Sequence, residues 1–135
     1  MKVLVDTSVW SHALRTGSAP EGSASRRLSL LIAEAEVVLT GLVLQEVLQG
    51  FRSDPVFRTV ERRLAAFPLL QLDRAHYVAA ARLRRTCAAA GVSAATADCQ
   101  IAAAAISHRC RLFTLDRDFE AIARHAPLRL VTARA

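Results

Sequence analysis

The order of apolar and polar positions predicts strands alternating with helices. Lys2 to Asp6 reads KVLVD, a near-continuous apolar run suited to a strand buried on both faces of a parallel sheet. Ser8 to Arg15 predicts a short helix closed by Gly17. The small, polar stretch Ser18 to Ser25, with Pro20 and Gly22, predicts a loop. From Arg26 to Glu36, residues Leu28, Leu31, Ile32 and Ala35 share one helical face, and Val37 to Thr40 predicts a second strand. Leu42 to Phe51 is helical, with Val43, Val47, Leu48 and Phe51 as its stripe. Asp54-Pro55 opens a further helix that runs to about Phe67. Leu69 to Leu72 predicts a third strand. Asp73 caps a long helix to about Ala90, ended by Gly91, and the Ala-rich segment Thr96 to His108 is helical. Leu112 to Leu115 is a fourth strand, Phe119 to His125 a short helix, and Leu128 to Val131 a last strand. The expected fold is α/β: one domain over residues 1–135, with a parallel sheet of about five strands flanked by helices on both faces.

Two of these strands end in an acid. Asp6 follows VLV and Asp116 follows LFTL. In open α/β sheets, ligands bind beyond the carboxyl ends of the strands, so both acids are candidates for one crevice. Helix capping explains a single such Asp equally well. Asp98 is more informative. Ile101, Ala102, Ala105 and Ile106 lie three, four, seven and eight residues after it, so Asp98 heads the buried face of its helix. A carboxylate there needs a cation, hydrogen-bond donors or water. Glu46 lies at the edge of its helix's stripe, where an ordinary boundary Glu could also sit.

If the four acids converge, they cannot all remain ionised without a counter-ion. Two unit charges about 4 Å apart repel by about 4 kcal/mol at an effective dielectric of 20. Oxygen-only ligands select a hard cation, Mg²⁺ or Mn²⁺, which favours phosphate substrates and activates bound water.

Composition narrows the field. The chain has 135 residues, 53% of them hydrophobic, which suits a folded domain of this size. No apolar run nears the roughly 18 residues of a membrane span, and no signal peptide precedes the acid at position 6. A soluble protein of the cytoplasm is expected. The three cysteines, Cys87, Cys99 and Cys110, form no CxxC pair and read as reduced core residues. The net charge is +6, and every basic residue except Lys2 is Arg, whose forked donors suit phosphate. Such a balance fits a nucleic-acid partner, although solvated helix faces rich in Arg would look the same.

VLVDTSVW, LVLQEVLQGFR, TADCQIAAAA and LFTLDRDF, in that order, resemble the four acidic motifs of PIN domains. Their surroundings and the chain length resemble the VapC-type toxins of bacterial toxin–antitoxin systems. The resemblance spans essentially the whole chain. It implies a Mg²⁺-dependent endoribonuclease, with Mn²⁺ able to substitute, that hydrolyses RNA phosphodiester bonds. It also implies a homodimer and neutralisation by a small VapB-like antitoxin. Asp6, Glu46, Asp98 and Asp116 fall at the family's catalytic acids, with Asp6, Asp98 and Asp116 as metal ligands. Asp118 falls where some members carry a further acid, and Thr7 and Thr114 match helper hydroxyl positions. The rival readings are a non-catalytic RNA-binding PIN domain, an acid-site phosphatase and a receiver-like α/β domain. A receiver usually needs adjacent early acids and a late Lys, but Asp6 has no acidic neighbour and the only Lys is Lys2; the phosphatase needs a second Asp two residues after the first, which the DTS at Asp6 lacks.

Overall fold

The computed structural model describes residues 1–15 and 22–131. Among them are four strands: β1 (Lys2–Val5), β2 (Glu36–Val38), β3 (Arg111–Phe113) and β4 (Leu130–Val131). All pair in parallel, in the order β2-β1-β3-β4. Because β1 has a neighbour on each side, with Leu4 opposite both Val38 and Leu112, Val3, Leu4 and Val5 are wholly buried. That double pairing is the physical reason for the unbroken VLV run.

The expected strand at Leu69 to Leu72 is reduced to a single bridge between Leu39 and Leu69. Leu39 N–H donates to the Pro68 carbonyl at 3.0 Å, and Leu70 N–H donates back to Leu39 at 2.8 Å. Pairing stops there because the Gln71 carbonyl is taken by His108 Nε2 and Asp73 already caps the next helix.

Seven helices surround the sheet among the described residues: α1 (Thr7–Arg15), α2 (Ser23–Glu34), α3 (Gly41–Leu48), α4 (Asp54–Leu64), α5 (Arg74–Ala89), α6 (Thr96–Ser107) and α7 (Asp118–Ala123). Helix α2 begins within the stretch read as a loop, since Ala24 and Ser25 are buried against the fold. Gly17 and positions 18–21 of that expected loop lie outside the described residues. Thr40 caps α3 by accepting the Val43 N–H, Pro55 sits in the first turn of α4, and Asp73 caps α5. Helices α5 and α6 pack along each other, and the small buried run Ala102 to Ala105 allows their close approach. Cys87, Cys99 and Cys110 are free thiols in the core, as their spacing suggested.

Helix α6 ends in an unexpected way. Arg109 has φ 57°, Cys110 N–H reaches the Ala105 carbonyl and Arg109 N–H reaches Ile106. This is a Schellman ending with Arg where glycine is usual, and a side chain in the left-handed region carries a steric cost. Arg109→Gly should therefore stabilise the protein by about 0.5–1 kcal/mol, after allowing for glycine's looser unfolded state. Urea unfolding should show a higher midpoint at unchanged slope. A lower midpoint would mean that the Arg109 side chain makes a stabilising contact.

The chain passes from β1 to β2 on one side and returns, through α3 to α6, to β3 on the other. The carboxyl ends of β1 and β3 thus flank the topological switch point, where α/β sheets open a crevice.

Candidate active site

Asp6 leaves β1 at that crevice. Its backbone N–H makes the last rung to Phe113, at 2.8 Å, and its carbonyl accepts from Val9 and Trp10 to start α1. The helix start therefore rests on the backbone, which leaves the carboxylate to the side-chain network. Oδ2 of Asp6 accepts hydrogen bonds from the Ser8 and Thr114 hydroxyls, both at 2.8 Å, and the residue is 5% exposed.

Those hydroxyls tie the two strand ends together. Ser8 Oγ also accepts from Leu115 N–H, at 3.0 Å, and Thr114 Oγ1 accepts from Asp116 N–H, at 3.0 Å. Thr114 was singled out from the sequence, whereas Ser8 was not. Thr7 donates to Glu46 Oε1 at 2.8 Å, so α1 also fixes the acid on α3.

Asp116 Oδ1 accepts the Asp118 N–H at 2.9 Å and closes the turn into α7. That bond also orients the carboxylate. Carboxylate oxygens of Asp98, Asp116 and Asp118 all lie within 4.8 Å of one another. Asp118, the weaker candidate from the sequence, is one of this compact trio, and Asp6 is not. Asp98 stands in the first turn of α6, half-buried. Its pKa is pushed up to about 6, first by burial and then by the charges of Asp116, Asp6, Asp118 and Glu46. The four acids named from the sequence therefore share one electrostatic neighbourhood, with Asp118 as a fifth. Among the described residues no Arg or Lys forms an ion pair with any of them.

Crowded oxygens without a side-chain cation fit a hard divalent ion, which takes carboxylate ligands and tolerates retained water. With no metal added, the lifted pKa fixes the sign of a pH effect. Between pH 3.8, the ordinary aspartate value, and about 6, the folded state holds a proton on Asp98 that the unfolded chain has lost. Folding stability should therefore rise as pH falls through 6, with the gain complete below the unfolded value. At more than one pKa unit the limit is a few kcal/mol, and solvent screening at this half-open site reduces it to about 1–2 kcal/mol. Urea unfolding of wild type and Asp98→Asn in EDTA should diverge over this window. Parallel pH profiles would show that Asp98 titrates normally.

Comparison with known proteins gives a consistent picture. A sequence model of the PIN domain matches residues 3–125. The chain is 35% identical to a VapC ribonuclease of Mycobacterium bovis, over 98% of this chain and 99% of that one. It is equally similar to ribonuclease VapC11 of Mycobacterium tuberculosis, 35% identical over the same shares. Among solved structures, it superposes on VapBC2 from Rickettsia felis, solved bound to a promoter DNA fragment, with TM-score 0.80, 18% identity and 97% and 98% of the two chains covered. VapBC-1 from nontypeable Haemophilus influenzae gives TM-score 0.78 at 18% identity, covering 98% of each chain. At such identities the structural likeness speaks for the fold alone.

Proposed function

The chain belongs to the PIN domain family, and from that premise we propose that it is the toxic ribonuclease of a type II toxin–antitoxin pair. It is a divalent-metal-dependent endoribonuclease that hydrolyses RNA phosphodiester bonds at the acid cluster. The observation that carries this reading is the trio of carboxylates within 4.8 Å at the switch point. A domain that only bound RNA would gain nothing from like charges placed where a polyanion must approach.

Asp98, Asp116 and Asp118 would hold Mg²⁺, with Mn²⁺ as an alternative. Asp6, buried and close enough to act on Asp98, would be a further ligand or a buried charge beside the ion. When bound, the cation supplies Lewis acidity toward a phosphoryl oxygen and eases ionisation of water. The chain's own groups do the positioning. Ser8 and Thr114 hold Asp6 Oδ2 in place. Thr7 donates to Oε1 of Glu46 and so orients the carboxylate that would accept a proton from the attacking water. The excess of Arg draws RNA toward a site whose own charge repels it.

An antitoxin partner is proposed from the VapBC complexes among the structural neighbours, and a homodimer from the resemblance to the family. No described helix is long and apolar enough to cross a membrane. The direct test uses purified protein and single-stranded RNA, with Mg²⁺, Mn²⁺ or EDTA. Cleavage should need the metal, and millimolar metal should raise the melting temperature, because binding to the folded state alone stabilises it. If there is no cleavage and no metal-dependent shift, the nuclease reading is left without support. If the upstream gene product forms no complex on co-expression, the toxin–antitoxin assignment fails while the nuclease assignment stands.

A further inference from the structure

Building on the ribonuclease reading, we propose a second site: the cavity between the C-terminal half of α5 and the loop entering α6 is a subsite for an RNA nucleotide flanking the bond that is cut. The cavity has a volume of about 300 Å³ and is lined by Arg84, Ala88, Gly91, Val92, Ser93 and Ala94. That is the small end of the range for ligand pockets, enough for one nucleotide unit but not for a folded element.

Its chemistry suits one nucleotide. Arg84 Nε donates to the Ala94 carbonyl at 3.2 Å, which anchors the guanidinium. Among the described residues Arg84 forms no ion pair with a carboxylate, so its terminal N–H groups remain for a phosphate. Ser93 adds a hydroxyl. Ala88, Val92 and Ala94 offer apolar wall to a base or ribose. The wall is shaped locally: Gly91, at φ +80°, turns the chain out of α5, and Val92 N–H bonds back to the Cys87 carbonyl at 2.8 Å.

Its location suits a strand that also reaches the acids. Residues 92–94 run directly into Ala95, the cap of α6, and Asp98 lies in that helix's first turn. Elsewhere on the same helix Arg82, Arg85, Thr86 and Ala89 line a second groove, so α5 carries cations on more than one face. This answers an electrostatic need: the acids repel RNA, so its affinity must come from cations to one side of them.

Ala88→Glu tests this, because it sets a carboxylate beside Arg84 at an exposed, helix-compatible position. Arg58→Gln, on α4, makes the same change in net charge elsewhere. The probe is a fluorescein-labelled single-stranded oligoribonucleotide, with binding followed by anisotropy in EDTA over a range of salt. Loss of a phosphate contact should weaken binding about tenfold for Ala88→Glu and reduce the logarithmic salt slope by about 0.7. Arg58→Gln should leave both nearly unchanged. In cleavage assays with Mg²⁺, Ala88→Glu should raise KM at unchanged kcat, and melting should confirm the fold. Equal effects from the two variants, or wild-type KM for Ala88→Glu, would overturn the subsite and leave the nuclease reading intact. If the wild type cleaves no RNA, the nuclease reading falls first, and the subsite with it.

Discussion

Asp98→Asn is expected to abolish RNA cleavage and, in EDTA, to make the protein more stable. Two effects compete at this residue. As a first-turn acid, Asp98 is favoured by the helix dipole by about 0.3–1 kcal/mol. Against that stand burial and four neighbouring acids, which push its pKa up to about 6. The upward direction shows that repulsion and desolvation win. Asn keeps the size and removes the charge, so about 1–2 kcal/mol should be regained after solvent screening. For a domain of this size that corresponds to a melting shift of about 5 °C. Loss of even an outer-shell partner of a metal costs about 10–100-fold in affinity or activity, so removal of a direct ligand should cost at least about a hundredfold in rate. The metal-induced rise in melting temperature should also shrink. Wild-type cleavage by Asp98→Asn, once contaminating nuclease is excluded, would remove Asp98 from the site. A lower melting temperature in EDTA would make it a helix anchor instead.

The residues that were legible in the sequence are those whose position follows from local periodicity. Asp98 could be placed on the buried face of α6 because Ile101 and Ala102 follow at helical spacing. Asp6 and Asp116 could be placed at strand ends because the apolar runs stop there. Ser8 was not legible as a connector. Its partners, Thr114 and Leu115, lie more than a hundred residues away and meet it only because β1 and β3 are neighbours. Asp118 depended on the same pairing and on the turn that Asp116 closes. The strand expected at Leu69 failed for a different reason. Its apolar pattern was sound, but an edge segment needs continuing donors and acceptors, and Gln71 and Asp73 are committed elsewhere. The early start of α2 was hidden because Ser23 to Ser25 have loop-like composition, and only burial of Ala24 and Ser25 makes them helical.

Phe119→Ala should show how far the acid cluster depends on packing beneath it. Helix α7 has six residues, too few to hold helical structure by itself. It is anchored by Phe119 and Ile122, both fully buried, and by its packing against α6. Phe119 immediately follows Asp118, so the side chain that fixes the helix also fixes one carboxylate of the trio. Truncation in a tight core costs about 3–5 kcal/mol, a large share of a total of roughly 5–15. A helix so short should release locally before the whole domain unfolds. Amide exchange from Asp116 to Ala123 should therefore accelerate more than exchange in β1, and cleavage should fall further than the folded fraction. Phe119→Leu, which retains most of the volume, should lose much less. Divalent metal should partly restore the alanine variant by tying Asp118 back to Asp98, and at a hundredfold excess over Kd the gain is limited to about 2.7 kcal/mol. Because local release of α7 weakens the site, the metal-dependent rise in melting temperature should be smaller than in wild type at equal Mg²⁺. An equal rise would mean that Asp98 and Asp116 hold the ion without α7, and Asp118 would then drop out of the ligand set.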